Sequence, residues 1–278
     1  MPLTHYACAH CGFWQPWFAG QQPIFCPVCM DVRNALPPDG WDFRTVGDLT
    51  GAVETLWAEV APNVIGFSCT PSFGLGSTGW LLLRPEGNVA FEGAPFYTES
   101  ALAQVERLGG IKVLAGSHPH GFGAIWQLAE RFRPEVVVHR EALRFTKAFK
   151  VTWPADDDHQ LAPGLTLHGT EGHYEGHAVL HDAGARALYC GDCLKVEFDG
   201  AGRPEAISCH KGFHYQIPLS HQELRRYREV IGALDFTAVY TPFEYAAGVT
   251  TAHAVALFDR LLAGRPSAKP IPLAELVP

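Results

Sequence analysis

Basic charge, methionine and long apolar runs are all scarce in this chain. Of 278 residues, two are methionine and 18% are charged, with 21 Lys and Arg against 29 Asp and Glu. The net charge is −8, and Lys and Arg nowhere form a run. A continuous basic groove is therefore not expected, and nucleic acid is not an expected partner. No apolar stretch approaches the roughly 20 residues of a membrane-spanning helix, so no membrane association is expected. The opening Met1-Pro2-Leu3-Thr4-His5-Tyr6 has neither a basic nor an apolar segment. No export signal is expected, and the cytoplasm is the expected location. No internal repeat at a solenoid period is visible.

Cysteine and histidine are what the chain has, with 8 and 14 copies. Four of the cysteines form two tight pairs, Cys8-Ala9-His10-Cys11 and Cys26-Pro27-Val28-Cys29, fourteen residues apart. Each Cys-x-x-Cys fits a turn whose backbone amides point at the sulfurs, and two such turns supply four thiolates in tetrahedral geometry. Gly12 and Pro27 suit those turns. Paired cysteines at this spacing fit metal binding in a reducing compartment better than disulfides. The module resembles a zinc ribbon and, through Tyr6-x-Cys8-x-x-Cys11-Gly12 and Cys26-Pro27-x-Cys29, the short rubredoxin-like modules. Zn is the expected metal, and an S₄ site takes Fe as well. With four protein ligands the site is closed, so it stabilises rather than catalyses. Phe13, Trp14, Trp17, Phe18 and Phe25 are expected to pack on the rest of the protein, because a module this small lacks a core. Arg33-Asn34-Ala35-Leu36-Pro37-Pro38-Asp39-Gly40 reads as a linker. The expected organisation is a four-cysteine ribbon with linker over 1–40 and one larger domain over 41–278.

The larger segment predicts strands at Val64–Thr70, Gly79–Arg84, Asn88–Glu92, Ile111–Ala115, Val136–His139, Leu165–His168, Ala178–His181, Ala187–Cys190 and Thr237–Tyr240. Helices are predicted at Thr98–Leu108, Gly123–Phe132, Glu141–Ala148, Ser220–Leu234 and Thr250–Leu262. Hairpins first and strand–helix alternation afterwards indicate α/β sheets covered by helices.

Chemistry gathers at strand ends. His118 and His120 follow the strand Ile111–Ala115, and an i, i+2 pair in extended chain points both rings one way. His173 sits among glycines in Gly172-His173-Tyr174-Glu175-Gly176-His177. Asp192 follows the strand Ala187–Cys190. Three imidazoles and a carboxylate form a donor set suited to Zn²⁺, with Fe or Mn possible. His177 reads as structural, and Cys190 and Cys193 as core thiols.

The motif order resembles the metallo-β-lactamase superfamily, which has a His-x-His-x-Asp-His loop, then Gly-His-x-x-Gly-His, then Gly-Asp-x-Leu, then a late His. Gly172-His173-Tyr174-Glu175-Gly176-His177 and Gly191-Asp192-Cys193-Leu194 match. Ser117-His118-Pro119-His120 matches the first half of the first motif. The resemblance implies a four-layer αββα sandwich with His118, His120, His173 and Asp192 as metal ligands. Phe122 and Gly123 stand where the family has Asp and its second loop His. Tyr240-Thr241-Pro242-Phe243-Glu244 stands where the late His is expected. One metal position keeps three histidines and the other keeps Asp192 at most, so one core ion is expected. Glu171, Glu175, His210, His214 and Glu244 are candidates to replace what is missing. His210, His214 and Glu244 are the candidates for moving protons, and Asp192 is the candidate for binding or orienting the metal-bound water. The implied activity is metal-dependent hydrolysis of a small ester, thioester or lactone-type substrate. The alternatives are a catalytically degenerate binding or scaffold protein, or a redox protein if the ribbon holds iron.

Overall fold

Residues 1–212 and 215–276 are described by the structure, a computed structural model. The chain forms two compact units, Met1–Ala155 and Asp156–Pro278. Among the described residues no helix is long and apolar enough to cross a membrane.

The first unit holds a seven-stranded sheet. Its order is Trp153–Ala155, Glu135–His139, Val113–Ala115, Val89–Phe91, Gly79–Leu82, Val64–Thr70, Glu54–Ala61. The last four form an antiparallel meander, and Val89–Phe91, Val113–Ala115, Glu135–His139 and Trp153–Ala155 run parallel. Parallel neighbours need crossovers, and the helices Glu99–Arg107 and Ile125–Phe132 supply two of them. Thr98 Oγ1 caps the first by accepting from the Ala101 amide at 3.4 Å. The second stops at Arg133, which turns left-handed at φ +50°.

The edge strand Glu54–Ala61 is absent from the sequence reading. Seven of its eight residues are exposed or half-buried, so no buried alternation marks it. The helix predicted over Glu141–Ala148 is instead a 3₁₀ segment, Arg140–Phe145, ending at Thr146. Short turns of this kind make i to i+3 bonds and need no sustained apolar face.

The four-cysteine segment lies within this first unit. Leu3–Cys8 pairs with Trp14–Phe18 and with Phe43–Thr45, so the small sheet includes a strand just beyond the expected boundary at residue 40. Trp14 is buried, donates from Nε1 to the Pro95 carbonyl at 2.8 Å, and lies 5.3 Å from the Trp126 ring. Phe13 meets Phe145 edge-on at 6.3 Å. These two aromatics dock the segment as expected. Phe18 and Phe25 stay exposed. Gly74 marks another close approach, since a Cβ there would lie 2.4 Å from the Gly12 nitrogen.

The second unit holds a six-stranded sheet, ordered His159–Ala162, Leu165–Gly169, Ala178–Asp182, Ala187–Tyr189, Ala238–Tyr240, Tyr245–Ala247. Only the Ala187–Tyr189 and Ala238–Tyr240 pair is parallel, with helix His221–Val230 in the connection. A smaller sheet joins Lys195–Phe198, Pro204–Ser208 and Ile271–Pro272. The core packs Val179, Leu188, Ile207, Leu224, Tyr227, Val239, Leu257 and Phe258 together. Cys190, Cys193 and Cys209 lie in that cluster, where burial pushes the Cys209 thiol up to about 12. They behave as small apolar residues there.

Candidate metal centres

The first centre is the cysteine set. Cys8, Cys11, Cys26 and Cys29 are buried with their sulfurs grouped. Cys8 Sγ lies 4.0 Å from Cys29 Sγ, and Cys11 Sγ lies 3.7 Å from Cys26 Sγ. A tetrahedral ion with metal–sulfur bonds of about 2.3 Å separates its sulfurs by about 3.8 Å. The turns are closed by Gly12 N–H to Cys8 O at 2.8 Å and Met30 N–H to Cys26 O at 3.1 Å, with Gly12 at φ +82°. Hydrogen bonds from Cys11, Cys26 and Cys29 hold Cys8 far below the ordinary thiol range. Cys26, Cys29, Cys8 and burial push Cys11 far above it. Four thiolates this close repel one another, and a tetrahedral cation offsets that repulsion.

In the first unit, strand Val113–Ala115 leads through Gly116 and Ser117 to His118. His118 is extended (φ −166°, ψ 173°), and Pro119–Phe122 then form a 3₁₀ turn. His120 is therefore on a turn rather than in the extended segment expected, because Pro119 opens the turn. The two rings still lie 5.5 Å apart, inclined at 67°. Ser117 donates its hydroxyl to Glu92 Oε1, and Ser117 Oγ lies 2.8 Å from His118 Nδ1. With the Ser117 proton committed to the carboxyl, Oγ accepts from His118 Nδ1–H. That places the lone pair of a neutral ring on Nε2. Glu92 is buried at 1% exposure with φ +61°. A Cβ on Gly121 would meet its Oε1 at 2.4 Å, so Gly121 leaves room for the pair. His120 Nε2 lies 3.4 Å from the side-chain amide of Asn34, whose Nδ2 also donates to Val28 O at 3.1 Å. The linker thus ties the cysteine turn to the histidine turn.

The departures from the family pattern have local causes. Phe122 is buried against Phe149, with ring centroids 5.6 Å apart. Gly123 has φ +45°, and a Cβ there would lie 2.4 Å from Gly93 O. No histidine fits that backbone without moving it.

In the second unit, His173 sits on a tight loop. Glu171 and Gly172 both have positive φ, and a Cβ on Gly172 would strike the Tyr227 ring at 2.5 Å. The buried Tyr227 hydroxyl accepts from the His173 amide at 2.9 Å and donates to Glu171 O at 3.2 Å. His173 Nδ1 is 2.7 Å from the His210 carbonyl. A carbonyl only accepts, so Nδ1 carries the proton and the lone pair of the neutral ring is on Nε2. That Nε2 lies 3.5 Å from Asp192 Oδ2, both side chains being almost fully buried. A lone pair facing a carboxylate calls for a cation or a proton between them. Two donors on one tetrahedral ion with bonds of about 2.0–2.1 Å stand about 3.3 Å apart, so the spacing fits.

Asp192 is held from behind. Its amide donates to His177 Nε2 at 3.2 Å, and His177 Nδ1 lies 2.9 Å from Thr170 Oγ1. Asp192 Oδ1 takes the ammonium of Lys195 in a partly buried ion pair. His210 lends His173 its backbone carbonyl while its own Nδ1 turns to Gly212 O at 3.1 Å. Burial and then the Lys195 charge hold the His210 ring below the usual histidine range. Glu244 accepts from Thr241 Oγ1 at 3.0 Å, and partial burial, opposed by Thr241 and Lys195, holds its carboxyl above the usual range. Glu171 and Glu175 are exposed. His214 lies outside the described residues.

Sequence reasoning missed Glu92, Lys195 and Tyr227. Lys195 directly follows Gly-Asp-x-Leu and Glu92 ends a strand, so position was the only available signal. Tyr227 had none, being far away on a helix.

Residues 107–230 match the model of the metallo-β-lactamase superfamily. The uncharacterized protein YmaE of Bacillus subtilis (strain 168) is 26% identical over 254 residues, covering 87% of this chain and 89% of that protein. Among solved structures, VMB-1 aligns with a TM-score of 0.55 at 14% identity, covering 74% of this chain and 97% of that one. A metallo-β-lactamase from Pontibacter korlensis aligns with a TM-score of 0.52 at 14% identity, covering 74% and 99%. The flavodiiron protein from Giardia intestinalis aligns with a TM-score of 0.52 at 14% identity, covering 76% of this chain and 60% of that one. At these identities the structural likeness establishes the fold, mixed α/β sheets of the metallo-β-lactamase kind.

Proposed function

We propose that this chain, which carries a metallo-β-lactamase superfamily domain, is a metal-dependent hydrolase of a small ester, thioester or lactone-type substrate. Its core site takes one ion, with His118, His120, His173 and Asp192 as the ligands that the family's motif order assigns. The observation that carries this reading is the His173 Nε2 to Asp192 Oδ2 approach of 3.5 Å, with His173 Nδ1 already committed to a carbonyl. Zn²⁺ suits the imidazole-rich set, and Fe or Mn would also be accepted. A divalent ion there would acidify water to near neutrality and polarise a carbonyl.

The chain's own residues orient the donors. Ser117 and Glu92 set the His118 tautomer, the His210 carbonyl sets that of His173, and His177 fixes the Asp192 loop. Such outer partners typically alter metal affinity or activity by about 10–100-fold. Glu244 is the candidate for moving the proton, since a carboxyl held above its usual range is better matched to neutral pH. The cysteine ribbon is structural. Its reduced thiols suit the cytoplasm, and the proposed partner is a small molecule.

A second reading, a metal-stabilised protein without catalysis, draws on Phe122 and Gly123, which leave the first motif without its carboxylate. One experiment separates the two. Metal content and hydrolysis of a 4-nitrophenyl ester are measured on the full chain, His118→Ala and His173→Ala. The hydrolase reading expects two ions per chain and ester turnover. Each variant should lose one ion and the turnover together. Ion loss without any turnover in the parent protein would favour the second reading, and retention of both ions in both variants would defeat the site.

A further inference from the structure

Asp192 is flanked on both carboxylate oxygens by different chemistry. Oδ2 faces His173 Nε2 at 3.5 Å, and Oδ1 is occupied by the Lys195 ammonium. The Asp192 side chain is 3% exposed and that of Lys195 17%, so the pair is screened far less than a surface ion pair. Phe122 and Gly123 stand where the first motif of the resembled family has a carboxylate and a second histidine, and Gly123 cannot regain a ligand because its backbone leaves no space for a Cβ. The positive charge at Oδ1 is nonetheless present.

We propose that Lys195 is a positioning residue whose ammonium stands in for the second metal ion, fixing Asp192 and limiting the core site to a single ion. The proposal rests on the reading of His173 and Asp192 as ligands of one core ion. Its geometry is local. Lys195 opens the strand Lys195–Phe198, whose pairing with Pro204–Ser208 begins at the Lys195–Ser208 register. That ladder anchors the lysine backbone three residues beyond its partner, and the ammonium reaches back along the loop. The same charge is felt at Glu244 and at His210. A fixed ammonium also repels any cation brought to Asp192, including the core ion itself. Removing it would take one positive charge from beside the buried Asp192 carboxylate, and a cation would then bind more tightly.

This predicts an effect of unusual sign, a deletion that strengthens metal binding. The test titrates the full chain with Zn²⁺ against a competing chelator, for the parent protein, Lys195→Met and Lys195→Arg, with thermal unfolding as a check of folding. The parent should bind one zinc beyond the ribbon equivalent. Lys195→Met should hold that zinc roughly tenfold more tightly, and Lys195→Arg should stay near the parent value. Equal or weaker binding in folded Lys195→Met, or two core zinc ions in the parent, would overturn the proposal while leaving the hydrolase site standing. No core zinc in the parent would defeat the site itself. If Lys195→Met does not fold, Lys195→Arg decides through the count, since one core equivalent supports a cationic stand-in and two overturn it.

Discussion

The cysteine set and the histidine–carboxylate set differ in how their donors are aimed. Cys8, Cys11, Cys26 and Cys29 sit on two turns closed by their own backbone bonds, Gly12 N–H to Cys8 O and Met30 N–H to Cys26 O. The spacing of the residues is itself the geometry. His118, His173 and Asp192 are each oriented by residues remote in sequence or by the backbone. Glu92 acts on His118 through Ser117, Tyr227 and the His210 carbonyl act on His173, and His177 acts on Asp192. A locally built site announces itself in sequence, whereas a distributed one shows its donors and hides what points them.

That contrast can be broken experimentally, and the cysteine side should give the largest response. Cys26→Ser leaves three sulfurs around a closed site. Structural zinc in small modules is worth on the order of 10 kcal/mol of apparent binding, so the variant should lose one ion and destabilise the first unit by several kcal/mol. Calorimetry with elemental analysis reads both. An unchanged unfolding temperature would mean that the sulfurs hold no ion of consequence.

Next in size is the loop that carries His173. Gly172→Ala forces a Cβ to 2.5 Å from the Tyr227 ring at φ +75°. It should cost about 2–4 kcal/mol, combining overpacking with backbone strain. Gly20→Ala is the control, since its φ is +79° with nothing within 4 Å of the added Cβ. It should cost only about 1 kcal/mol. Equal losses in denaturant melts would show that the Tyr227 contact is not what fixes the loop.

Ser117→Ala should act on metal affinity rather than on folding. It breaks the relay from Glu92 to His118 Nδ1 and should weaken the core ion about tenfold, with the ribbon ion retained. Zinc competition checks it, and an unaltered affinity would show that Glu92 does not orient the His118 ring.

The smallest effect is electrostatic. Burial alone would raise the Glu223 carboxyl. Lys211 Nζ at 2.6 Å and the Ser220 amide and hydroxyl outweigh it and hold the carboxyl below its usual range. A depressed folded value means that its contribution is complete above the ordinary carboxylate pKa of about 4.3 and is lost as pH falls through the folded value. The unfolding temperature of Glu223→Gln should therefore lie below the parent at neutral pH and converge with it in acid. A gap that persists unchanged at pH 3 would contradict the sign.

Much of the fold was legible because motif order and strand-end positions survive in sequence. The helices Glu99–Arg107, Ile125–Phe132 and Thr251–Ala263 appear within two residues of where caps and periodicity put them. The strand Glu54–Ala61 was invisible because its side chains are mostly exposed. In the candidate site the donor types were readable and the orienting groups were not. A backbone carbonyl such as that of His210 leaves no mark on residue identity. The direction of the Lys195 side chain depends on a strand register that only folding supplies.

The chemistry of the core site turns on a cation between His173 and Asp192. Anomalous diffraction at the zinc edge, on crystals of the metal-loaded protein, tests it most directly. Two peaks per chain are expected, one among the four cysteine sulfurs and one within bonding distance of both His173 Nε2 and Asp192 Oδ2. A peak at the cysteines alone, with His173 and Asp192 joined by a proton, would contradict it.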